Sequence, residues 1–227
     1  MTTALITGAN KGLGFETARQ LIAAGHQVWI AARDPDRGRQ AADELDARFV
    51  RLDVTDDASV TAAAETVGSL DVLVNNAGIP GARAEAAQTT AEQARAVFET
   101  NVFGAVRVLH AFLPLLERSP APVVVNVSSG LGSITLAADP NSPWASVSAM
   151  AYCSSKAALN MLTVKYAAAL PQMRINAVDP GFTATDLNQH RGTQTVEQGA
   201  AAIVRYALIG PAGPTGGFFS ESGEQPW

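Results

Sequence analysis

Short apolar runs alternate with longer amphipathic stretches along the whole chain. Ala4–Thr7, Val28–Ala32, Arg48–Leu52, Val72–Val74, Val123–Val127, Arg174–Val178 and Gly217–Phe219 are brief and mostly apolar, the pattern of strands buried on both faces. Between them, Phe15–Ala24, Pro35–Asp46, Ser59–Thr66, Thr90–Leu116, Ser148–Leu170 and Gln198–Leu208 predict helices. In the first of these, Phe15, Ala18, Leu21 and Ile22 share one face, and Gly25 ends it. A break is expected in the long fourth stretch near Asn101–Gly104. Strand and helix in regular alternation give parallel βαβ units, hence one α/β domain over 1–227 with helices on both faces of a doubly wound parallel sheet.

Two stretches break the rhythm. Gly130–Ala149 carries Pro140, Asn141, Pro143 and several serines, and Thr183–Thr195 is polar and irregular. Each follows a predicted strand end. Open parallel sheets bind ligands at the carboxyl ends of their strands, so both are expected to wall a substrate site.

Composition narrows the class. Hydrophobic residues make up 47% of the 227 and charged residues 16%, which suits a sheet covered on both sides. The net charge of −5, without a basic run, argues against nucleic acid and anionic membrane surfaces as partners. A single cysteine, Cys153, excludes a disulfide framework and a cysteine-based zinc cluster. His26, His110 and His190 are scattered, so no metal site is expected. The chain enters its first strand at once, without a signal-peptide pattern, and no run of about 20 apolar residues suggests a membrane span. A cytoplasmic protein is the expectation.

The chemistry starts at Thr7-Gly8-Ala9-Asn10-Lys11-Gly12-Leu13-Gly14. Three glycines fall within seven residues, between a strand and a helix start. Glycines let backbone approach a bulky anion, and the helix adds free N–H groups and the positive end of its dipole. That is a diphosphate site. Tyr152 and Lys156, four residues apart in one predicted helix, share a face. An ammonium group beside a phenol favours the phenolate, so the pair can serve as an acid–base device. Ser128 and Ser129 follow a buried strand and could hold a carbonyl oxygen, and Asn75-Asn76-Ala77-Gly78 closes another strand. Asn101 is a poor helix former inside a helical stretch.

These segments, with Tyr152-Cys153-Ser154-Ser155-Lys156 and Pro180-Gly181, resemble the short-chain dehydrogenase/reductase family of the classical type. They span most of the chain in the family's order. Ala31-Ala32-Arg33-Asp34 and the ending Gly213-Pro214-Thr215-Gly216-Gly217-Phe218-Phe219 are most similar to carbonyl-reductase-like members. The resemblance implies a Rossmann-type fold and hydride transfer between a nicotinamide cofactor and a ketone or aldehyde. It implies Tyr152 as general acid, with Lys156 lowering its pKa and holding the nicotinamide ribose. Ser129, rather than Ser128, would polarise the carbonyl, and Asn101 would support a water-linked proton relay to Lys156. Gly8, Asn10, Lys11, Gly12, Leu13 and Gly14 would cradle the cofactor. Asp53 and Val54 would lie by its adenine, Asn75, Ala77 and Gly78 behind it, and Pro180, Gly181 and Thr183 along its amide.

NADP(H) is the expected cofactor. Where an NAD site wants a carboxylate at the end of the second strand stands Ala32, followed by Arg33. Arg33 and Lys11 would suit a 2′-phosphate; Asp34, if it pointed inward, would repel it. The span from Ser129 to Tyr152 is longer than in most of the family, with the extra residues in Leu136–Ala149 and Trp144 as a candidate apolar wall. This leaves monomer and homo-oligomer both open. Two rival readings stand beside the reductase: an NADP(H)-binding sensor without turnover, and an NAD-linked alcohol dehydrogenase.

Overall fold

The alternation read from the sequence folds into a single sheet. The computed structural model describes residues 2–82 and 84–227. The strands are β1 (Thr3–Thr7), β2 (Gln27–Ala32), β3 (Arg48–Arg51), β4 (Val72–Asn75), β5 (Val123–Val127), β6 (Arg174–Val178), β7 (Phe218–Ser220) and β8 (Gly223–Glu224). Their spatial order is β3-β2-β1-β4-β5-β6-β7-β8. All neighbours pair in parallel except β7 and β8, a short antiparallel return after the last expected strand. The order reverses between β1 and β4, so a crevice opens beyond their carboxyl ends.

The helices are α1 (Gly12–Ala23), α2 (Pro35–Glu44), α3 (Asp57–Val67), α4 (Ala91–Phe98), α5 (Gly104–Leu116), α6 (Ile134–Ala138), α7 (Met150–Ala169) and α8 (Val196–Ala207). Local chemistry sets several of their starts. Asp34 and Asp56 cap α2 and α3 through their carboxylates, and Pro35 opens α2 with the fixed φ that a first turn needs. Thr90 with Gln93, and Thr195 with Gln198, form reciprocal capping boxes on α4 and α8. The expected break is a π turn, Glu99–Phe103, centred on Asn101. Turns of this kind interrupt helices mostly at functional sites.

Side chains of the strands alternate between two cores. Ala4 and Ile6 face α1 and α8 and meet Ala18, Leu21 and Ile203. Leu5 faces the other side, with Val60, Val108, Phe112 and Leu116. The stretch Ala91–Leu116 as a whole is long and apolar enough to cross a bilayer. In this fold Val97, Val108, Leu109, Phe112 and Leu116 are buried instead in the protein core.

Candidate active site

A cleft of about 600 Å³ runs over the carboxyl ends of the strands, at the reversal of strand order. Its floor is the turn between β1 and α1. Gly8 and Gly12 have φ of 66° and 57°, a conformation open chiefly to glycine. Gly14 has ordinary φ but no room: a methyl there would lie 2.5 Å from Asn76 Nδ2 and 2.9 Å from both Ala9 Cα and Gly8 O. The helix therefore begins inside the glycine loop at Gly12, earlier than its apolar periodicity implied, and its first N–H groups face the cleft. A loop this stripped of side chains, at a helix N-terminus, fits a diphosphate.

Asn10, Lys11, Leu13, Ala77, Gly78, Pro180, Gly181 and Thr183 all line the cleft. Arg33 lines one end beside Asp53 and Val54. Asp53 accepts the N–H and hydroxyl of Thr55, at 3.0 and 2.7 Å. Burial pushes its carboxyl up, but these bonds, with the charges of Arg33 and Arg51, hold it below its ordinary value. Asp34 does not point inward. Its Oδ1 accepts the N–H groups of Asp36 and Arg37 at 3.0 and 3.2 Å, so the carboxylate caps α2 and leaves Arg33 as the charge at the end of β2.

Asn75 requires a correction. Its Nδ2 donates to Asn126 Oδ1 at 2.9 Å between neighbouring strands, and Asn126 in turn donates to Thr163. Asn75 ties β4 to β5 and does not line the cleft. Strand alternation turns the next residue the other way. Asn76 lines the cleft and donates to Thr7 O and Gly8 O at 2.8 and 3.3 Å, holding the glycine loop in shape. The signal was present in the paired asparagines, one of which must face each side.

The acid–base group stands at the other end. Tyr152 and Lys156 lie on one face of α7, with Nζ 5.6 Å from the centre of the phenol ring. Lys156 is 4% exposed, and Nζ donates to Val127 O at 2.7 Å. Burial pulls its pKa down to about 8, opposed by the charge of Asp179. The expectation that Lys156 depresses Tyr152 is not met here. Burial raises the Tyr152 pKa well above the ordinary value, opposed by a hydrogen bond with Ser129 and reinforced by Asp179 and Cys153.

Ser128 and Ser129 both border the cleft but differ in what their hydroxyls meet. The Ser128 hydroxyl is buried and donates to Asn160 Oδ1 at 2.6 Å. Ser129 is half-buried, borders the cleft and meets Tyr152. Asn101 is buried behind the wall rather than exposed in the cleft. Its Oδ1 accepts Ile79 N–H at 2.8 Å, and its Nδ2 donates to Ile79 O and Ser155 Oγ, both at 3.0 Å. Asn101 thus fastens the loop after β4 to α7. Its Oδ1 and Lys156 Nζ flank Gly78, at 3.4 and 3.7 Å from where a methyl on that glycine would sit.

Both irregular stretches reach the cleft. Val147, Ser148 and Ala149 border it, whereas Trp144 packs over Gly130, away from the lining. Ala184 and Leu187 of Thr183–Thr195 also line it, and with Phe182, Leu131, Ile79 and Pro80 they give the cleft an apolar lining. The sequence pattern does not single out these wall residues, because they lie on loops without a period.

Lys11 is not aimed at the ribose end. Its Nζ pairs with Asp186 Oδ2 at 2.6 Å, and Asp186 also meets His190 Nε2 at 2.8 Å. This exposed bridge links the glycine loop to the Thr183–Thr195 loop. If the cleft takes NADPH, Asp186→Asn should release Lys11 and tighten that binding roughly twofold to fivefold, read by quenching of protein fluorescence. Unchanged or weaker binding would mean that Lys11 has no role at the phosphate.

Comparison with known proteins points one way. The family model described as short chain dehydrogenase matches residues 2–195. A short-chain dehydrogenase of Penicillium roqueforti, anuI, is 41% identical over 223 residues, covering 91% of this chain and 88% of the relative. The (+)-neomenthol dehydrogenase of Arabidopsis thaliana is 36% identical, with 96% of this chain and 95% of the relative covered. The solved NADPH-bound carbonyl reductase from chicken fatty liver superposes with a TM-score of 0.87 at 28% identity, covering 100% of this chain and 99% of that one.

Proposed function

This chain belongs to the short chain dehydrogenase family, and from that premise we propose that it is an NADP(H)-dependent carbonyl reductase with Tyr152 as general acid. The observation that carries the reading is geometric: Tyr152 and Ser129 meet at the edge of the cleft, and Tyr152 shares a helix face with Lys156, whose Nζ lies 5.6 Å from the phenol ring centre. A neomenthol dehydrogenase, a salutaridine reductase and a carbonyl reductase stand among its relatives and structural neighbours.

The residues present fit a nicotinamide dinucleotide. The glycine loop leaves space that a Cβ would fill, and Arg33 presents a guanidinium at the end of β2. Gly8, Gly12 and Gly14 would hold its diphosphate, Arg33 a 2′-phosphate, Lys156 the nicotinamide ribose, and Pro180, Gly181 and Thr183 the amide. When bound, such a cofactor supplies the hydride. The chain supplies the rest. Ser129 donates a hydrogen bond to the substrate carbonyl oxygen and fixes its position beside the phenol. Tyr152 gives its proton to that oxygen as negative charge develops. The Lys156 ammonium stabilises the resulting tyrosinate until a proton returns, and Asn101 keeps the Ile79 loop and α7 in the register that this return requires. The apolar wall of Leu131, Ile79, Pro80 and Leu187 excludes water from the reacting carbon.

The test is consumption of NADPH and NADH over ketones, aldehydes and quinones, with identification of the alcohol formed. Alcohol formation with a strong preference for NADPH is expected. Binding of NADPH without turnover on any carbonyl compound would favour a sensor instead. Arg33→Ser should lower the ratio of NADPH to NADH efficiency by at least about tenfold, the cost of roughly one charge-assisted phosphate contact. A ratio that stays unchanged would remove Arg33 from cofactor selection.

A further inference from the structure

Arg107 on α5 stands behind the wall of the cleft and does not line it. Its guanidinium ties three segments together. Nη1 donates to Val54 O at 2.6 Å, Nη2 to Glu99 Oε1 at 2.9 Å, and Nε to Asp57 Oδ1. Val54 lines the cleft, Asp57 opens α3, and Glu99 opens the π turn. The Arg107 side chain is 21% exposed, so solvent and salt screen these bonds less than those of a surface pair. The bond to Glu99 depends on the π turn. Residues seven apart share a face of a regular α-helix. A π turn inserts one extra residue, which brings Glu99 and Arg107, eight apart, to the same face.

Val54 is held from two sides. Arg107 holds its carbonyl, and its side chain packs on the first residue of α5: a methyl on Gly104 would lie 2.9 Å from Val54 Cγ2. Thr100, in the π turn four residues before Gly104, also lines the cleft. Other bonds of the Val54 loop tie it to α3 and to itself, as when Asp53 N–H donates to Ser59 Oγ at 3.0 Å and Thr55 N–H to Asp53 Oδ1 at 3.0 Å. Strand register then says what Val54 would meet. Ala32 of β2 pairs with Arg51 of β3, and Leu52 N–H donates to Ala32 O at 3.0 Å. Arg33 and Asp53–Val54 therefore leave neighbouring strands side by side. In NADP(H) the 2′-phosphate and the adenine sit on adjacent carbons of one ribose. A phosphate held by Arg33 would set the base over Asp53–Val54.

We propose that Arg107 is a positioning residue for the adenine end of the cofactor: by joining the Val54 carbonyl to the π turn it fixes Val54 and Thr100 relative to one another as a wall for the base. It touches neither the cofactor nor the reacting atoms and acts through these two lining residues. The inference rests on the NADP(H) reading, and the test separates the two.

Arg107→Met keeps an unbranched apolar stem and removes every donor. The probe is 2′-phospho-ADP-ribose, the NADP molecule without its nicotinamide, titrated by calorimetry. Its Kd should rise about fivefold, the worth of one hydrogen bond. KM for NADPH should rise by the same factor. The loss should appear in KM rather than in kcat, because Asn101 keeps its own bonds to Ile79 and Ser155. Arg107→Lys, which retains a cation and can still reach one acceptor, should weaken the probe less. A variant with a lower melting temperature but unmoved Kd and KM would make Arg107 a support of the fold alone and overturn the proposal, as would a fall in kcat with KM unmoved. If neither variant folds, the guanidinium is a requirement of the fold and the proposal fails. Wild-type protein that binds neither NADPH nor the probe would fell the NADP(H) reading and this inference with it; wild-type binding of both, with an unmoved Kd in Arg107→Met, would fell this inference alone.

Discussion

Tyr152→Phe should fold, bind NADPH as wild type does, and reduce carbonyl compounds about a thousandfold more slowly. The change removes one oxygen and leaves the ring that packs beside Lys156. Ser129 loses its phenolic partner but remains within a half-buried, accessible site. The barrier rises because, of the two hydroxyl groups at the carbonyl oxygen, Ser129 is an alcohol and a far weaker acid than the Tyr152 phenol. Lys156 is engaged with Val127 O at 2.7 Å, and the Ser128 hydroxyl is engaged with Asn160. Cys153 is raised by burial and lies outside the cleft lining. Steady-state kinetics beside a cofactor titration measures this directly. A loss of cofactor affinity equal to the loss of rate would assign Tyr152 to binding rather than to proton transfer.

Gly14→Ala should be the most damaging change in the cofactor half. The added methyl meets Asn76 Nδ2 at 2.5 Å, and Ala9 Cα and Gly8 O at 2.9 Å. Two of these neighbours are backbone and cannot rotate away. Asn76 could swing aside only by releasing Thr7 O and Gly8 O, the bonds that hold the glycine loop. Overpacking of this kind costs about 1–3 kcal/mol of stability. The displaced loop would lose its aim at a diphosphate, with NADPH affinity falling roughly a hundredfold, the equivalent of two or three hydrogen bonds. Thermal melting and fluorescence titration read the two effects separately. Near-normal affinity in the variant would show that the loop does not cradle the cofactor.

Much of this architecture could be read before any coordinates. Strands buried on both faces have only one pattern, and the helices between them repeat at their own period, so the order of elements was secure. Asn101 and the Tyr152–Lys156 spacing stood out because each broke or used that period. What stayed hidden depends on which way a side chain turns at the end of an element. Asn75 and Asn76 differ by one residue and by a face of the sheet. Asp34 looked like a threat to a phosphate until its carboxylate was seen capping α2. Lys11 could not be paired with Asp186 from sequence, because 175 residues separate them and the bridge exists only where two loops meet over the cleft. The proximity of Tyr152 to Lys156 is visible in sequence, whereas the burial that raises the phenol's pKa is not.

The central claim is that this cleft moves hydride to a carbonyl carbon while Tyr152 protonates the oxygen. Incubation with NADPH deuterated at the transferable position of C4 and a reducible ketone, followed by mass spectrometry of the alcohol, tests it most directly. The account predicts one deuterium, at the carbinol carbon, in wild type and almost no alcohol with Tyr152→Phe. Alcohol without deuterium, or equal alcohol from the variant, would contradict it.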